Sequence, residues 1–192
     1  MRRSRAARRA ALRCGIVTLL LVLPGAAQMK DLPVKALFIE AAVRFITWPP
    51  VESAGGDTGR LRHAFTIGIF DNDRFAPYLT EAFSRKNPGG GVPVRYLRID
   101  ASLNIDSCDL VYIPSNRAVM LDKIITACRD KPILTVSDFP EFVSRGVILA
   151  ITTENRRIKS YINETAAIEA HLGISHHLLQ KSTIIAPRER RP

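Results

Sequence analysis

Residues 65–86 read FTIGIFDNDRFAPYLTEAFSRK, and this stretch decides the fold. Its first six residues, Phe65 to Phe70, are apolar and rich in β-branched and aromatic side chains, which is typical of a strand. From Arg74 to Lys86 the apolar side chains recur at helical spacing. They are Phe75, Leu79, Ala82 and Phe83. A strand that leads into an amphipathic helix indicates the start of a β-α-β unit.

The order of strand and helix repeats after this stretch. The pattern predicts strands over residues 92–99, 109–113 and 133–136 and a helix over residues 118–128. The strand at 133–136 is apolar on both faces, which is typical of a strand covered on two sides. The sequence therefore predicts an α/β fold, with a three-layer, mainly parallel sheet that carries helices on both faces.

An amphipathic helix is predicted to open the domain. Residues 34–47 read VKALFIEAAVRFIT and place apolar side chains at helical spacing. Trp48-Pro49-Pro50 ends this helix, because a residue before proline avoids helical angles and proline cannot donate to the helix ladder. The apolar positions are Val34, Leu37, Phe38, Ala41, Ala42 and Phe45.

The C-terminal part departs from the parallel pattern. Residues 147–152 and 157–162 read as two strands joined by a turn at Glu154-Asn155, so the sheet is predicted to finish with a C-terminal antiparallel hairpin. A final helix is expected to start near Asn163 and Glu164.

Most of the positive charge lies at the two ends of the chain. The 192 residues include 28 Lys and Arg against 18 Asp and Glu, which gives a formal charge of +10. Six arginines precede residue 15 and three more lie within residues 188–192, so residues 28–187 carry 19 basic and 17 acidic side chains. Because binding to nucleic acid needs clustered cationic side chains, no nucleic-acid partner is expected.

The first 27 residues have the order of a secretory signal peptide. An arginine-rich segment is followed by an apolar run from Gly15 to Leu23, a Pro24-Gly25 break and the pair Ala26-Ala27. We expect export and cleavage near Ala27, because the run is shorter than the roughly 20 apolar residues of a transmembrane helix. What remains is long enough for a single domain over residues 28–187, followed by a basic tail over residues 188–192.

The exported part keeps two cysteines, Cys108 and Cys128. In an oxidising compartment, two thiols at this separation could close one disulfide. The alternative is a pair of buried apolar cysteines, one at the start of a strand and one at the end of a helix. The sequence leaves both alternatives open.

Several short motifs lack the context of a functional site. Gly89 to Gly91 lead into a strand, whereas a phosphate-binding loop leads into a helix N-terminus. Asp71 and Asp73 are interpreted as turn and cap residues. The sequence shows no serine elbow, no cysteine with a histidine nearby and no metal-ligand spacing of its histidines, so no catalytic residue, metal or cofactor is expected. The histidines are His63, His171, His176 and His177.

The best candidate for a small-ligand site is the carboxyl edge of the predicted sheet, because open α/β sheets bind ligands where their strands end. The same polar residues are also ordinary caps of helices and turns. The candidate ligand crevice consists of Ser115, Asn116, Arg117, Ser137 and Asp138.

The ordered segments of the chain resemble the YfiR-like periplasmic proteins. They are KALFIEAAVRFITWP (35–49), FTIGIFDNDRF (65–75), CDLVYIP (108–114), ILTVSDFPEFVSRGVILAI (133–151) and IKSYINETAAIEAHLGISHHLLQKS (158–182). Specific positions within them are Trp48, Pro49, Gly146 and Asn163. The resemblance implies a periplasmic α/β domain that tends to dimerise and lacks enzymatic activity.

The resemblance also implies a function. The best-known relative represses an inner-membrane diguanylate cyclase by binding its periplasmic sensor region, and its release raises cyclic di-GMP and favours biofilm formation. By resemblance, this chain would be such a repressor. The alternatives are a periplasmic small-ligand-binding accessory module for a histidine kinase or other membrane receptor, and an unrecognised enzyme. An exposed apolar patch would favour the protein partner, and a closed polar crevice would favour the ligand.

One feature departs from the family. In the best-known relative, pairs of cysteines imply redox control of folding. Cys108 of this chain stands where one of those cysteines is expected. The position expected for its partner holds Ile67, and the second pair, expected between Asp138 and Leu149, is absent. A bridge in this chain would therefore have to use Cys128.

Overall fold

The computed structural model describes residues 25–50, 64–70, 74–86 and 93–186. The expected signal segment before residue 25, the basic tail, His63, the Asp71 and Asp73 pair and the Gly89 to Gly91 run lie outside the described residues. The described part forms α1 Gly25–Val43, β1 Ile46–Thr47, β2 Phe65–Phe70, α2 Ala76–Lys86, β3 Val94–Ile99, β4 Leu110–Tyr112, α3 Leu121–Cys128, β5 Leu134–Ser137, β6 Leu149–Glu154, β7 Arg157–Ile162, α4 Glu164–Glu169, β8 Gly173–Ile174, α5 His176–Gln180 and β9 Thr183–Ile184. Two 3-10 helices span Ser115–Met120 and Pro140–Arg145.

Seven of the strands form one sheet in the order β3-β2-β4-β5-β6-β7-β9. All neighbouring pairs are parallel except β6 and β7, which form an antiparallel hairpin. The predicted α/β class, the mainly parallel sheet and the C-terminal hairpin are therefore confirmed. The turn lies one residue later than expected, at Asn155-Arg156, where both residues have positive φ angles of 50° and 63°. That geometry suits a tight hairpin turn.

The sheet separates two hydrophobic layers, because alternate side chains of a strand point to opposite faces. Leu110 and Tyr112 of β4 pack with helices α1, α2 and α4, whereas Val111 and Ile113 pack with α3 and the 3-10 helices. Leu110, Val111 and Ile113 are fully buried. The central strands are thus covered on both sides, which confirms the predicted three-layer arrangement.

The opening helix differs from its predicted bounds. It starts earlier than residue 34, continues through Pro33 and ends at Val43 instead of residue 47. The reason for the early end is a second, two-stranded sheet, in which Ile46 pairs with Ile174 and Thr47 with Gly173. This pairing takes up the residues that continue the helical spacing, so tertiary contacts override the local pattern.

The final helix starts as expected, and its first residue is capped. The Asn163 side chain accepts a hydrogen bond from the Ala166 backbone N–H at 2.9 Å, so Asn163 is the N-cap of α4. The helix is only six residues long. The chain then adds β9 beside β7 in parallel, a strand that the sequence did not predict.

Gly68 in β2 marks a close approach between the sheet and the layer that contains α3. A Cβ added at Gly68 would lie 2.7 Å from Ile99 Cδ1 and 2.8 Å from Cys108 Sγ. Both neighbours are buried, so they cannot move into solvent. The strand therefore needs glycine at this position for space.

We expect Gly68→Ala to lower the free energy of unfolding by about 1–3 kcal/mol, because the added methyl group overpacks the layer. Urea unfolding of residues 28–192 measures this change. Gly173→Ala is the matched control, since a Cβ there meets its nearest neighbour, Thr47 Cβ, at 3.3 Å on an exposed strand. Equal stability of the two variants would contradict the overpacking.

Candidate functional site

The five residues of the predicted ligand crevice lie at and after the carboxyl ends of β4 and β5. Ser137 is fully buried, and its Oγ donates to the Ile113 carbonyl at 2.8 Å and accepts from the Phe139 N–H at 3.1 Å. Ser115 and Asn116 are exposed at the start of a 3-10 helix. Ser137 therefore ties two strand ends together, and its hydroxyl is occupied by the protein itself.

Arg117 and Asp138 also contact the protein. The Arg117 guanidinium carbon lies 5.1 Å from the centre of the Phe70 ring, in a cation-π arrangement. Asp138 Oδ2 lies 3.8 Å from Lys35 Nζ. None of the five crevice residues lines the two cavities that are described below. Ligand binding at this edge stays a prediction.

Lys35 and Asp138 form an ion pair between α1 and the end of β5. The Lys35 side chain is 5% exposed and that of Asp138 is 20% exposed. The separation exceeds hydrogen-bond length, and Asp138 Oδ1 is buried without a hydrogen-bond partner among the described residues. Each charge therefore depends on the other for compensation, because a buried charge without a partner is costly.

Helix α1 carries charged residues on its buried side. Lys35 and Glu40 are buried, and Glu40 Oε1 accepts hydrogen bonds from Arg44 Nε at 3.0 Å and Nη2 at 2.6 Å. The apolar residues on the same buried side are Ala36, Ile39, Ala42 and Val43. Of the six apolar positions that predicted the helix, only Ala42 belongs to this side, so five face outward.

We call the outward residues Val34, Leu37, Phe38 and Ala41 of α1, together with Phe45 in the turn that follows the helix, the α1 seam. Its large side chains are exposed by 43% (Val34 and Leu37), 49% (Phe38) and 41% (Phe45). A fully exposed aromatic side chain presents roughly 200 Å², so the seam exposes on the order of 300 Å² of apolar surface. Apolar patches of roughly this size are among the largest on typical soluble monomers and often lie at functional sites.

One cavity lies at the amino ends of β5 and β6, opposite the predicted crevice. It has a volume of about 720 Å³. Its charged lining residues are Arg129, Arg145, Asp122, Asp130 and Glu169, of which Arg145 and Asp122 form an ion pair with each other. Asn163 and Thr135 also line it, but Asn163 is held by Ala166 and the Val143 carbonyl, and Thr135 Oγ1 accepts the Ile148 N–H.

The sequence did not indicate this cavity, because its residues come from loops and helix ends far apart in the chain. The smaller cavity, about 310 Å³, lies beside Cys108 and Lys131 at the amino ends of β2 and β4. Among the described residues, no three His, Cys, Asp or Glu side chains are placed to hold a metal ion.

The positions singled out by the sequence resemblance have structural roles. The buried Trp48 ring contacts Phe65 edge-on, with the ring centres 5.5 Å apart, and Pro49 beside it is half-buried. Gly146 ends a 3-10 helix at φ 109°, and a Cβ there would lie 2.9 Å from Ile125 Cγ2. Asn163 caps α4 and donates to the Val143 carbonyl at 2.8 Å.

Cys108 and Cys128 are buried free thiols in the layer that contains α3. Burial, together with the charge of Asp106, raises the pKa of Cys108 to about 11. Burial is the main reason why the pKa of Cys128 is raised to about 12. The charge of Lys131 acts in the opposite direction, and Cys108 adds to the increase. Ile67, where the resemblance places a partner for Cys108, packs in the opposite layer, and Gly68 lies beside Cys108 Sγ instead.

The other shifted pKa values belong to groups away from the cavities. Hydrogen bonds from Lys159 and Tyr161 to Glu154 lower the pKa of Glu154. The same bonds raise the pKa values of Lys159 and Tyr161. Burial raises the pKa of Tyr96, and hydrogen bonds from Ser102 lower the pKa of Asp100. None of these five groups lines the two cavities described above, whereas Cys128 lines the larger of them and Cys108 the smaller.

Comparisons with known proteins give a family and a fold. The family model described as YfiR/HmsC-like matches residues 33–183. Among curated proteins, none matches the chain. A solved structure of a conserved domain protein from Vibrio cholerae is similar at 12% identity and a TM-score of 0.50, over 80% of this chain and 60% of that one. The chain thus spans about three fifths of that relative, and the likeness shows the fold alone.

Two further solved structures are similar with lower TM-scores. One is an ABC domain in complex with L-Trp from Streptococcus pneumonia, at 15% identity and a TM-score of 0.48, over 63% of this chain and 55% of that one. The other is a substrate-binding protein with adhesive properties from Clostridium difficile, at 10% identity and a TM-score of 0.47, over 67% of this chain and 56% of that one.

We expect Asp138→Ala to lower the free energy of unfolding by about 3 kcal/mol, because it leaves the Lys35 charge buried and uncompensated. The double variant Lys35→Met with Asp138→Ala regains most of this loss. Urea unfolding of both variants measures the coupling. Asp122→Ala is the control, because it removes an exposed ion pair with Arg145 whose atoms lie closer together, 3.0 Å apart. We expect this variant to lower the free energy of unfolding by less than about 1 kcal/mol. Equal losses for the two single variants would show that the Lys35 charge does not need Asp138.

We expect both thiols of the folded protein to react with a disulfide reagent at pH 8 at least about 100-fold more slowly than a free cysteine, because their raised pKa values leave little thiolate. Stopped-flow labelling of reduced residues 28–192 measures the rates, and the same protein in urea is the control that reports two accessible thiols. Labelling of the folded protein at the rate of a free thiol would show that the two thiols are not buried. Fewer than two thiols in protein that has not been reduced would show that they are not both free.

Proposed function

The chain belongs to the YfiR/HmsC-like family, and on this premise we propose that it is a non-enzymatic periplasmic repressor of an inner-membrane diguanylate cyclase. The family supports a periplasmic regulatory role in general. In the proposal, the protein binds the periplasmic sensor region of the cyclase, lowers cyclic di-GMP and disfavours biofilm formation. The same proposal includes a homodimer.

The observation that carries the proposal is the α1 seam. The large side chains of the seam remain 41–49% exposed in the domain, and binding to another protein surface would remove them from water. Only one charged residue, Arg44, lies on the exposed side between Val34 and Phe45, and it is paired with Glu40. This composition supports an interaction protein.

Repression follows from differential affinity. A cyclase sensor that exchanges between active and inactive conformations is shifted toward the one that the repressor binds better. A shift from mostly active to mostly inactive needs a preference of roughly 10⁴-fold between the two conformations. The proposed repressor therefore needs no catalytic group, only a surface that fits one conformation of its partner.

Export is part of the proposal. We propose that residues 1–27 are removed as a signal peptide, which leaves Gln28 as the first residue of α1 and one domain that ends in a basic tail. In the part of the chain that the structure describes, no helix combines the length and hydrophobicity of a membrane span.

A second candidate function is favoured by the larger cavity. Its volume, about 720 Å³, falls in the range of small-molecule sites, and its mixed charges would suit a polar ligand. In this alternative, the protein is a periplasmic small-ligand-binding accessory module for a histidine kinase or other membrane receptor.

Deletion of the gene tests the repressor. We expect cellular cyclic di-GMP to rise on deletion and to return to the original level when the full chain is restored. Residues 28–192 without the export segment should fail to restore it, because they would remain on the other side of the membrane from the sensor region. Mass spectrometry of nucleotide extracts measures the level.

An unchanged level in cells that express the protein would count against repression of a cyclase. Restoration by the unexported form would count against a periplasmic site of action. The control is a strain that carries the full chain with Val119→Glu, a change of an exposed residue in the layer on the other face of the sheet from α1, which should restore the level fully.

A further inference from the structure

We propose that the outer edge of β3 is a docking site for an extended acidic segment of a partner protein, which adds to the sheet as a further strand. This edge shares no residue with the α1 seam. The identity of the partner, the periplasmic sensor region of the membrane protein, rests on the proposed function, whereas the docking edge itself does not.

β3 is the outermost strand at one end of the seven-stranded sheet. Its six residues pair with β2 on one side, and no strand in the described part of the chain lies on the other side. The strand at the opposite end of the sheet, β9, is only two residues long. β3 is therefore the edge of the described sheet that has the length to take up another strand.

One hydrogen bond shows which backbone groups of β3 face outward. The Phe65 N–H of β2 donates to the Pro93 carbonyl at 2.8 Å, and Phe65 pairs with Val94. In a parallel ladder, a residue that bonds the two neighbours of its partner leaves the partner's own N–H and C=O on the far side of the strand. The N–H and C=O groups of Val94, Tyr96 and Arg98 therefore point away from β2.

The protein itself pairs the last of these outward groups. The Asn104 side chain donates to the Arg98 carbonyl at 3.2 Å and accepts from the Asp100 N–H at 3.3 Å. This contact agrees with an outward Arg98 carbonyl, and it ends the free stretch. Among the described residues, nothing pairs with the outward backbone groups of Val94 and Tyr96. An added strand would supply their hydrogen-bond partners.

The side chains along the free stretch suit a strand with apolar and acidic residues. Val94, Tyr96 and Leu97 are half-buried, so each leaves part of its side chain uncovered at the edge. Arg95 is exposed, and it forms no hydrogen bond or ion pair with any described residue. A carboxylate opposite Arg95 on an added strand would lie on the same face of the sheet, where opposite charges stabilise strand pairing.

The same arginine disfavours a second copy of this chain as the occupant. Two β3 strands that pair antiparallel through both Val94 and Tyr96 place Val94 of one copy opposite Tyr96 of the other, which sets Arg95 directly opposite Arg95. Like charges in this position destabilise the pairing. A shift by two residues would instead bring Val94 opposite Arg98, whose carbonyl Asn104 already occupies. The charge therefore selects an acidic strand of a different protein.

Proline at position 94 separates docking from folding. Because the Val94 N–H points outward, Val94→Pro removes a docking donor and leaves every hydrogen bond between β2 and β3 in place, as in other edge strands that carry proline. Val94→Ala is the matched control, because it shortens the same side chain but keeps the N–H. Circular dichroism confirms that both variants of residues 28–192 fold.

The probe is a synthetic eight-residue peptide of alternating valine and threonine with one central glutamate, capped at both ends. NMR titration of isotope-labelled residues 28–192 gives the dissociation constant and the amides that shift. We expect the Val94 and Tyr96 amides to exchange rapidly with solvent in the free protein and to become protected when the peptide binds. Val94→Pro should weaken binding roughly tenfold, and Val94→Ala less than about threefold.

An exchange of charges tests the role of Arg95. Arg95→Glu should weaken binding of the glutamate peptide roughly tenfold. The same variant should bind a peptide with lysine in place of glutamate as tightly as the wild type binds the original peptide. In cells that lack the gene, the Val94→Pro protein should fail to lower cyclic di-GMP, whereas the Val94→Ala protein should restore the original level.

Four results would overturn the inference. Slow exchange of the Val94 and Tyr96 amides in the free protein would show that the chain already covers this edge. Absence of peptide binding, or equal binding by the Val94→Pro and Val94→Ala proteins, would exclude docking through the β3 backbone. Full repression by the Val94→Pro protein would exclude the sensor region as the occupant. An unchanged cyclic di-GMP level on deletion of the gene would count against the repressor alone, because the peptide titration does not depend on it.

Discussion

The structure depends on the burial of the central parallel strands β2, β4 and β5 on both faces. Parallel strands of this kind need helices on each side, which forces the three-layer arrangement. The requirement extends to the polar groups at the strand starts. Asp109, directly before β4, is buried, and its Oδ2 accepts the Thr66 N–H of β2 at 2.8 Å. The same constraint explains why Gly68 lies in tight surroundings.

The central layers could be predicted from the sequence because their signals are local. FTIGIF and ILTV are short apolar runs, and their strands lie at the expected places, at Phe65–Phe70 and Leu134–Ser137. The hairpin after them was also predictable from its two alternating runs. The two-residue strands β1, β8 and β9 were not, because so short a strand exists only through its tertiary partner. The larger cavity was missed for the same reason, since its walls come from segments distant in the sequence.

The direction that α1 faces shows the limit of hydrophobic periodicity. Its spacing indicated a helix correctly, but large apolar side chains lie on both sides of the helix, and the buried side also carries Lys35 and Glu40, so spacing alone could not say which side is buried. Side-chain size decides the question. Ala36 and Ala42 let the helix approach the sheet closely, whereas Phe38 and Phe45 would hold it away. The ion pair of Lys35 with Asp138 then fixes the choice, because rolling the helix over would separate the two charges.

This orientation links the fold to the proposed function. The small inner residues and the buried ion pair leave the large apolar side chains no place except the surface, so the seam is a consequence of how α1 packs. Large apolar side chains that the packing of α1 keeps at the surface lose contact with water only when another protein covers them. In the proposed repressor, the seam therefore contributes to the contact with the membrane sensor region, and a preference of that contact for the inactive conformation of the sensor shifts its equilibrium.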